Sequence, residues 1–422
     1  MPSKLPLIPN PHYQKSGLRS YVHLIRKYHF RPTKPGPYFI GHTVHQTGKP
    51  GSHTAVGGRA TVRQVLQKKI GGSEDASDTE RAGAEDVQNE FEHLVEVGVG
   101  SPAQRVRLGV DTGLGDFWVW STKLPSDILA QQHQDHKIFD ASKSDSFKTS
   151  DPLSTWRISY TDGSSVSGII GTDTVDLGGL VIKDQSVQLA DTISPELVNS
   201  MYDGILGLGF GKPDTIRTPV QSMLSKDREA EICKPTQLFT ALLGSWPNKQ
   251  ELEPFYTFGF IDEATTAQEE IYYTPIDNSN GFWELNSPSA TINGKKLDRS
   301  GNKAIIDTGT PLVLVDDSIC QAIYDAIPGA TYNYASQGYI FPSNITEERL
   351  PTVSLGVGER QFVVRKGDLG FADVDVEPGY LYGGIQSRGS LGFDVFGGAF
   401  LKGIYAVFDI GNLQFGPVPM KL

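Results

Sequence analysis

Cysteine is nearly absent from this 422-residue chain: Cys233 and Cys320 are the only two, and two thiols make no disulfide framework. Histidine stops early, with nine residues and none after position 136. His133 and His136 have helical spacing, but no further Cys or His pair completes a zinc site, so surface histidines and no metal are expected. Long apolar runs are missing too. No stretch approaches the roughly 18 residues of a membrane-spanning helix, and residues 1–10 (MPSKLPLIPN) are too few and too proline-rich for a secretory signal. Localisation is left open. Acidic residues are absent from the start: positions 1–70 hold 12 of the 38 Lys/Arg and none of the 49 Asp/Glu, so a segment of charge +12 precedes a body of charge −23. Such segments attract one another. The acidic body repels phosphate, which excludes nucleic acid as a partner.

Glycine (46) and proline (26) are plentiful, set between short runs rich in Val, Ile, Thr, Tyr and Phe. That punctuation predicts a mostly β protein with many tight turns, long enough for two domains with their own cores. In the basic arm, residues 17–30 (GLRSYVHLIRKYHF) set Leu18, Tyr21, Val22, Ile25 and Tyr28 on one face, an amphipathic helix that packs on something. Residues 31–60 are rich in Gly, Pro and His and read as irregular, and Thr61–Lys69 reads as a second helix. Residues 71–86 (GGSEDASDTERAGAED) form a polar acidic linker suited to exposure and cleavage. A basic, acid-free arm also suits a disordered tail or a transit peptide.

The body repeats itself loosely. Residues 107–111 (RLGVD) and 303–307 (KAIID) are apolar runs that each end in Asp-Thr-Gly, with the two aspartates 196 residues apart. Residues 203–207 (DGILG) follow the first and residues 394–397 (DVFG) the second; Leu206 lies 95 residues after Asp111, and Phe396 lies 89 after Asp307. Two similar halves imply lobes related by a pseudo-two-fold axis, with the aspartates face to face at the junction. One Asp-Thr-Gly reads equally as a strand followed by a turn; two in matching contexts are a strong signal. The pair resembles that of the pepsin-like aspartic endopeptidases, particularly their secreted fungal branch, and the resemblance runs from about Asn89 to the C-terminus. Leu24–Tyr28 (LIRKY) extends it into the arm, being similar to the Leu-Arg-Lys-Tyr of fungal prosegments.

The resemblance implies a bilobal, mostly β fold with a central cleft. A basic prosegment and linker would span 1–86, an N-terminal lobe 87–272 and a C-terminal lobe 273–422. It also implies an aspartic-type endopeptidase, made as a zymogen and active in acid, with Asp111 and Asp307 as catalytic carboxylates. Two carboxylates a few ångströms apart share one proton. The ionised one takes a proton from a water that attacks the scissile carbonyl, and the protonated one hydrogen-bonds to the developing oxyanion. By the same resemblance Thr112 and Thr308 cross-link the two loops, Gly113 and Gly309 let backbone amides approach the carboxylates, and Thr310 steadies Asp307. Residues 156–168 (WRISYTDGSSVSG) alternate around Asp162-Gly163, a hairpin-turn pair. They resemble the family's flap, with Tyr160, Thr161 and Asp162 at its substrate-facing tip and Trp118 as the indole that steadies Tyr160. Asp162 stands where fungal relatives meet a basic P1 side chain, so tolerance of lysine at P1 is expected. No cofactor is implied. The partners are a protein or peptide substrate and the chain's own prosegment, in a monomer.

Several positions depart from the family pattern. Leu114 replaces a serine that donates to the first aspartate, Thr161 a flap glycine, Pro311 a Ser/Thr beside the substrate, and Gly398 an aspartate. The family's C-terminal-lobe disulfide has no counterpart, since its cysteines would fall near Ser343 and Leu381. One glycosylation sequon, Asn344-Ile345-Thr346, is present. Leu114 and Pro311 keep open a divergent, catalytically impaired protein that binds peptides, and a specialised enzyme that processes one partner.

Overall fold

The computed structural model describes residues 3–45, 61–71, 74, 77–83, 86, 91–130, 136–149, 154–159, 164–198, 200–211, 217–224, 237–244, 252–267 and 270–420. The apolar runs that precede the two aspartates lie inside sheets. In the first half β6 (His93–Val99) pairs antiparallel with β7 (Gln104–Asp111), and β7 lies parallel to Gly204–Gly207. Gly204–Gly207 pairs in turn, antiparallel, with β8 (Phe117–Trp120). The second half repeats this arrangement: Lys303–Ile306 lies parallel to Asp394–Phe396, which pairs antiparallel with Val313–Val315. The repeat read from the sequence is thus a repeat of strand topology, one copy in a nine-stranded sheet and the other in a five-stranded sheet. A six-stranded sheet ties the halves together, with Leu238–Leu242 paired to Ile404–Asp409. The fold is mostly β and bilobal, as the sequence predicts.

The basic arm is built into both halves. β1 (Leu5–Pro6) extends the six-stranded sheet by pairing with Phe255–Phe258, and β2 (Ile8–Pro9) pairs with β6. Helix α1 (Gly17–Tyr28) follows, capped by the Ser16 hydroxyl, which accepts from the Arg19 amide. It ends at His29 in the left-handed region, φ 53°. Its apolar face packs as expected: Tyr21, Val22, Leu24 and Ile25 are buried against Leu312, Leu314, Ile340 and Val395 of the second half. Part of its polar face is buried as well, at Ser20, Arg26 and the Lys27 side chain, because that part meets the cleft rather than water; Arg19 stays exposed.

Two expectations for the arm are corrected. Thr61–Lys69 is not a helix but strand β4, and within residues 31–60 Tyr38–His45 forms strand β3, where no regular element was expected. The two pair antiparallel along their length, with Ile40 opposite Leu66, and β5 (Thr79–Arg81) joins β4. Tyr38, Ile40 and Leu66 are buried in the same cluster as α1. That packing, together with Thr and Val in β4, outweighs a weak helical periodicity. His136 is also corrected, from a surface residue to a buried one. Its ring stacks on Trp120 at 3.9 Å and its Nδ1 lies 3.1 Å from Asp203 Oδ1. His133 and Cys233 lie outside the described residues; Cys320 is a buried free thiol.

Candidate active site

Asp111 ends β7, and Asp307 follows the equivalent strand, so the strand repeat delivers both carboxylates to one place. Both are buried, at 2% and 0% exposure. The loops that hold them are interlocked. Thr112 Oγ1 donates to the Ile306 carbonyl at 2.8 Å and accepts from the Thr308 amide at 2.9 Å; Thr308 Oγ1 donates to the Val110 carbonyl at 3.3 Å and accepts from the Thr112 amide at 3.2 Å. The glycines permit the close approach. A Cβ on Gly309 would sit 2.4 Å from Asp111 Cγ, and one on Gly113 would sit 2.9 Å from Asp307 Oδ1. Their amides bind the carboxylate of their own loop, Gly113 to Asp111 Oδ1 at 2.8 Å and Gly309 to Asp307 Oδ1 at 3.0 Å. The Thr310 hydroxyl donates to Asp307 Oδ2.

Between the aspartates stands a lysine from the arm. Lys27 Nζ lies 2.9 Å from both oxygens of Asp111 and 3.0 and 2.9 Å from those of Asp307. The Tyr28 hydroxyl donates to Asp307 Oδ2 at 2.6 Å, and its ring makes edge contacts with Phe282 and Phe393. Burial resists the charge on Lys27, but the two carboxylates outweigh it and raise its pKa. The carboxylates are pushed apart. Burial drives Asp111 up, against the pull of Lys27 and with the help of the Asp307 charge. Burial also resists ionisation of Asp307, yet Lys27, Thr310 and Tyr28 together hold it below the usual carboxylate range. The two carboxylates are thus held at different proton affinities, Asp111 the higher and Asp307 the lower. Neither Lys27 nor Tyr28 stood among the site residues expected from sequence. Their signal was the LIRKY run at the end of an amphipathic helix in an acid-free arm.

The flap hairpin forms, with Thr155–Ser159 paired antiparallel to Ser165–Leu177. Its tip, including Tyr160, Thr161 and Asp162, lies outside the described residues. Trp118 is buried beside Trp156 and Tyr202, and its indole Nε1–H makes no hydrogen bond among the described residues. The Arg26 guanidinium reaches Ser164 Oγ at 3.4 Å, where the hairpin returns. Beneath the helix a cavity of about 190 Å³ remains, lined in part by Asp111, Leu114, Ile158 and Pro311. Leu114 thus faces the cleft beside Asp111 with no donor to offer it. Pro311 and Gly398 are in contact: a Cβ at position 398 would lie 3.2 Å from the Pro311 carbonyl oxygen.

The sequence model of the eukaryotic aspartyl protease family matches residues 92–418. The chain belongs to that family. Its relatives include aspergillopepsin-1 of Aspergillus pseudoglaucus, 34% identical over 78% of this chain and 78% of that protein. Penicillopepsin-1 of Penicillium janthinellum is 35% identical over 78% of this chain and 96% of its own length. Endothiapepsin of Cryphonectria parasitica is 33% identical, covering 75% of this chain and 72% of that protein. This aspartyl protease is an endopeptidase, a hydrolase of peptide bonds. The matched region begins after the arm, so Lys27 and Tyr28 enter its cleft from outside the part that the family model covers.

Proposed function

We propose that this aspartyl protease is made as an acid-activated zymogen, in which residues 1–86 cover the cleft and Asp111 and Asp307 form the catalytic pair. Residues 87–272 and 273–422 are the two lobes in this reading. The observation that carries it is Lys27: one buried ammonium occupies all four oxygens of the pair, where a substrate and its water would otherwise stand. When the helix leaves, Asp307 keeps its donors from Gly309 and Thr310, and Asp111 keeps only Gly113. Asp307 is then the ionised partner that takes a proton from the attacking water. Asp111 is the protonated partner that hydrogen-bonds to the oxyanion, and the proton that Asp307 took from the water passes to the leaving amine, which restores the pair. The interlocked threonines hold the carboxylates at this spacing before substrate arrives.

Incubating the purified chain at about pH 3.5, near the ordinary carboxylate pKa, and sequencing the new N-terminus tests the zymogen. Cleavage near residues 71–86 with the onset of activity is expected. A chain that stays whole, and is equally inactive once residues 1–86 are cut away, defeats it. A second reading, a peptide-binding protein with little turnover, draws support from Leu114 and Pro311 beside Asp111. Cleavage of a denatured protein that pepstatin blocks separates the two.

A further inference from the structure

The arm is anchored a second time, away from the aspartates, by its residues 33–38 (TKPGPY) on the C-terminal half. Gln337 is buried and grips the backbone of Tyr38 at both ends. Its Oε1 accepts from the Tyr38 amide at 2.8 Å, and its Nε2 donates to the Tyr38 carbonyl at 2.7 Å. The Tyr332 hydroxyl donates to the Pro35 carbonyl at 2.9 Å. The Lys34 ammonium lies 6.0 Å from the ring centre of Tyr332 and 5.6 Å from that of Tyr339, with the Asp317 carboxylate adding negative charge nearby. Gly36 has no room for a side chain, since a Cβ there would sit 2.3 Å from Gln337 Cδ. These contacts read one cation and, two positions later, one glycine; Thr33 Oγ1 lies 3.2 Å from Ser387 Oγ, Tyr38 is buried, and the other contacts are to backbone. A site that reads so little of a sequence is not confined to the segment that fills it.

We propose that Gln337, Tyr332 and Tyr339 form an exosite, freed when the arm leaves, that docks an extended Lys-x-Gly segment of a protein substrate outside the cleft. The inference rests on the reading of residues 1–86 as a removable prosegment. Lys34 follows Lys27 by seven residues. An extended chain of that length spans at most about 25 Å, so one substrate reaches the aspartates and the exosite together. Docking at the exosite makes binding at the cleft intramolecular and raises the local concentration of the scissile segment. It lowers KM for such substrates and leaves kcat unchanged.

The test uses the full chain with a site-specific protease sequence placed within residues 87–90, so that the arm is cut off whether or not the chain processes itself, and is then washed away in acid. A labelled peptide of residues 31–41 (RPTKPGPYFIG) is titrated by fluorescence polarisation, with and without excess pepstatin. The peptide binds in both conditions, while its Lys34→Glu and Gly36→Val versions bind at least about tenfold more weakly. Gln337→Ala or Tyr332→Phe in the protein weakens the native peptide by a similar factor; the second removes a single hydroxyl, and the peptide variants leave the protein unaltered. Absence of binding, equal binding of the three peptides, or displacement by pepstatin overturns the exosite. Hydrolysis of a substrate too short to reach it reports on the protease reading separately. Hydrolysis without peptide binding defeats the exosite alone, and peptide binding without hydrolysis defeats the protease reading alone.

Discussion

Asp307 receives two donors from its own loop and Asp111 receives one, and Leu114 is the reason for the difference on the Asp111 side. A serine at 114 would add a charge-assisted hydrogen bond, worth roughly 1.5–3 kcal/mol, to the carboxyl whose proton, in the mechanism we propose, is released at the high-pH edge of activity. Leu114→Ser is therefore expected to lower the upper limb of the kcat/KM–pH profile of the processed enzyme by about one unit. An unmoved limb would mean that Asp111 does not hold the shared proton. Thr112 makes a different kind of contribution, because its hydroxyl both donates and accepts across the interlock. Thr112→Val leaves the Ile306 carbonyl and the Thr308 amide without that partner, at roughly 1–3 kcal/mol for each group. A matching fall in Tm is the expected readout, and an unchanged Tm would show that the interlock adds no stability.

At the scale of elements, helix α1 is where the arm meets the chemistry. Removing one partner of a buried ion pair costs roughly 3–5 kcal/mol, so Lys27→Met loosens the helix from the cleft at neutral pH. The full-length variant is expected to begin self-processing at a higher pH than the native chain, which a pH series read on gels would record. An identical threshold would make Lys27 incidental to the lock. How much of this was legible beforehand differs by element. The two Asp-Thr-Gly strands were plain in the sequence because each is a short local motif in a matching context. Helix α1 was plain because its face repeats within 12 residues. The role of Lys27 was not, since its partners lie 84 and 280 residues away. Strands β3 and β4 were misjudged for a related reason: each becomes a strand by pairing with the other and by burying Ile40 and Leu66 beneath α1, neither of which shows in a nine-residue window. His136 was misjudged because its partner, Asp203, lies 67 residues on.

Over the whole molecule the arm and the body carry opposite charge, and three of the ion pairs between them share one pH dependence. Lys4 pairs with Asp262 at 2.9 Å, Lys15 with Glu92 at 3.7 Å, and Lys27 with Asp307 at 2.9 Å. Burial resists ionisation of all three carboxylates, but hydrogen bonds and neighbouring cations outweigh it and hold each below its ordinary range. A depressed carboxylate contributes stability above its ordinary pKa of about 4 and loses that contribution as the pH falls below it. Asp111 has the opposite sign: burial raises it, so its ionisation is unfavourable at neutral pH and that cost is relieved on acidification. The arm is thus expected to stay docked at neutral pH and to detach below about pH 4. Protease sensitivity of residues 17–28 across a pH series is expected to rise less sharply in an Asp307→Ala chain, which lacks one of the three pairs, than in an Asp111→Asn chain, which keeps all three; equal curves would show that the Lys27–Asp307 pair adds nothing to docking.

The central claim is that Asp111 and Asp307 hydrolyse peptide bonds as one unit once Lys27 is withdrawn. The direct measurement is digestion of a denatured protein at about pH 3.5 by chain whose arm has been removed, comparing the native sequence with Asp111→Asn and Asp307→Asn. Digestion by the native sequence, blocked by pepstatin and lost in both variants, is the predicted result. Undiminished digestion by either single variant would contradict it.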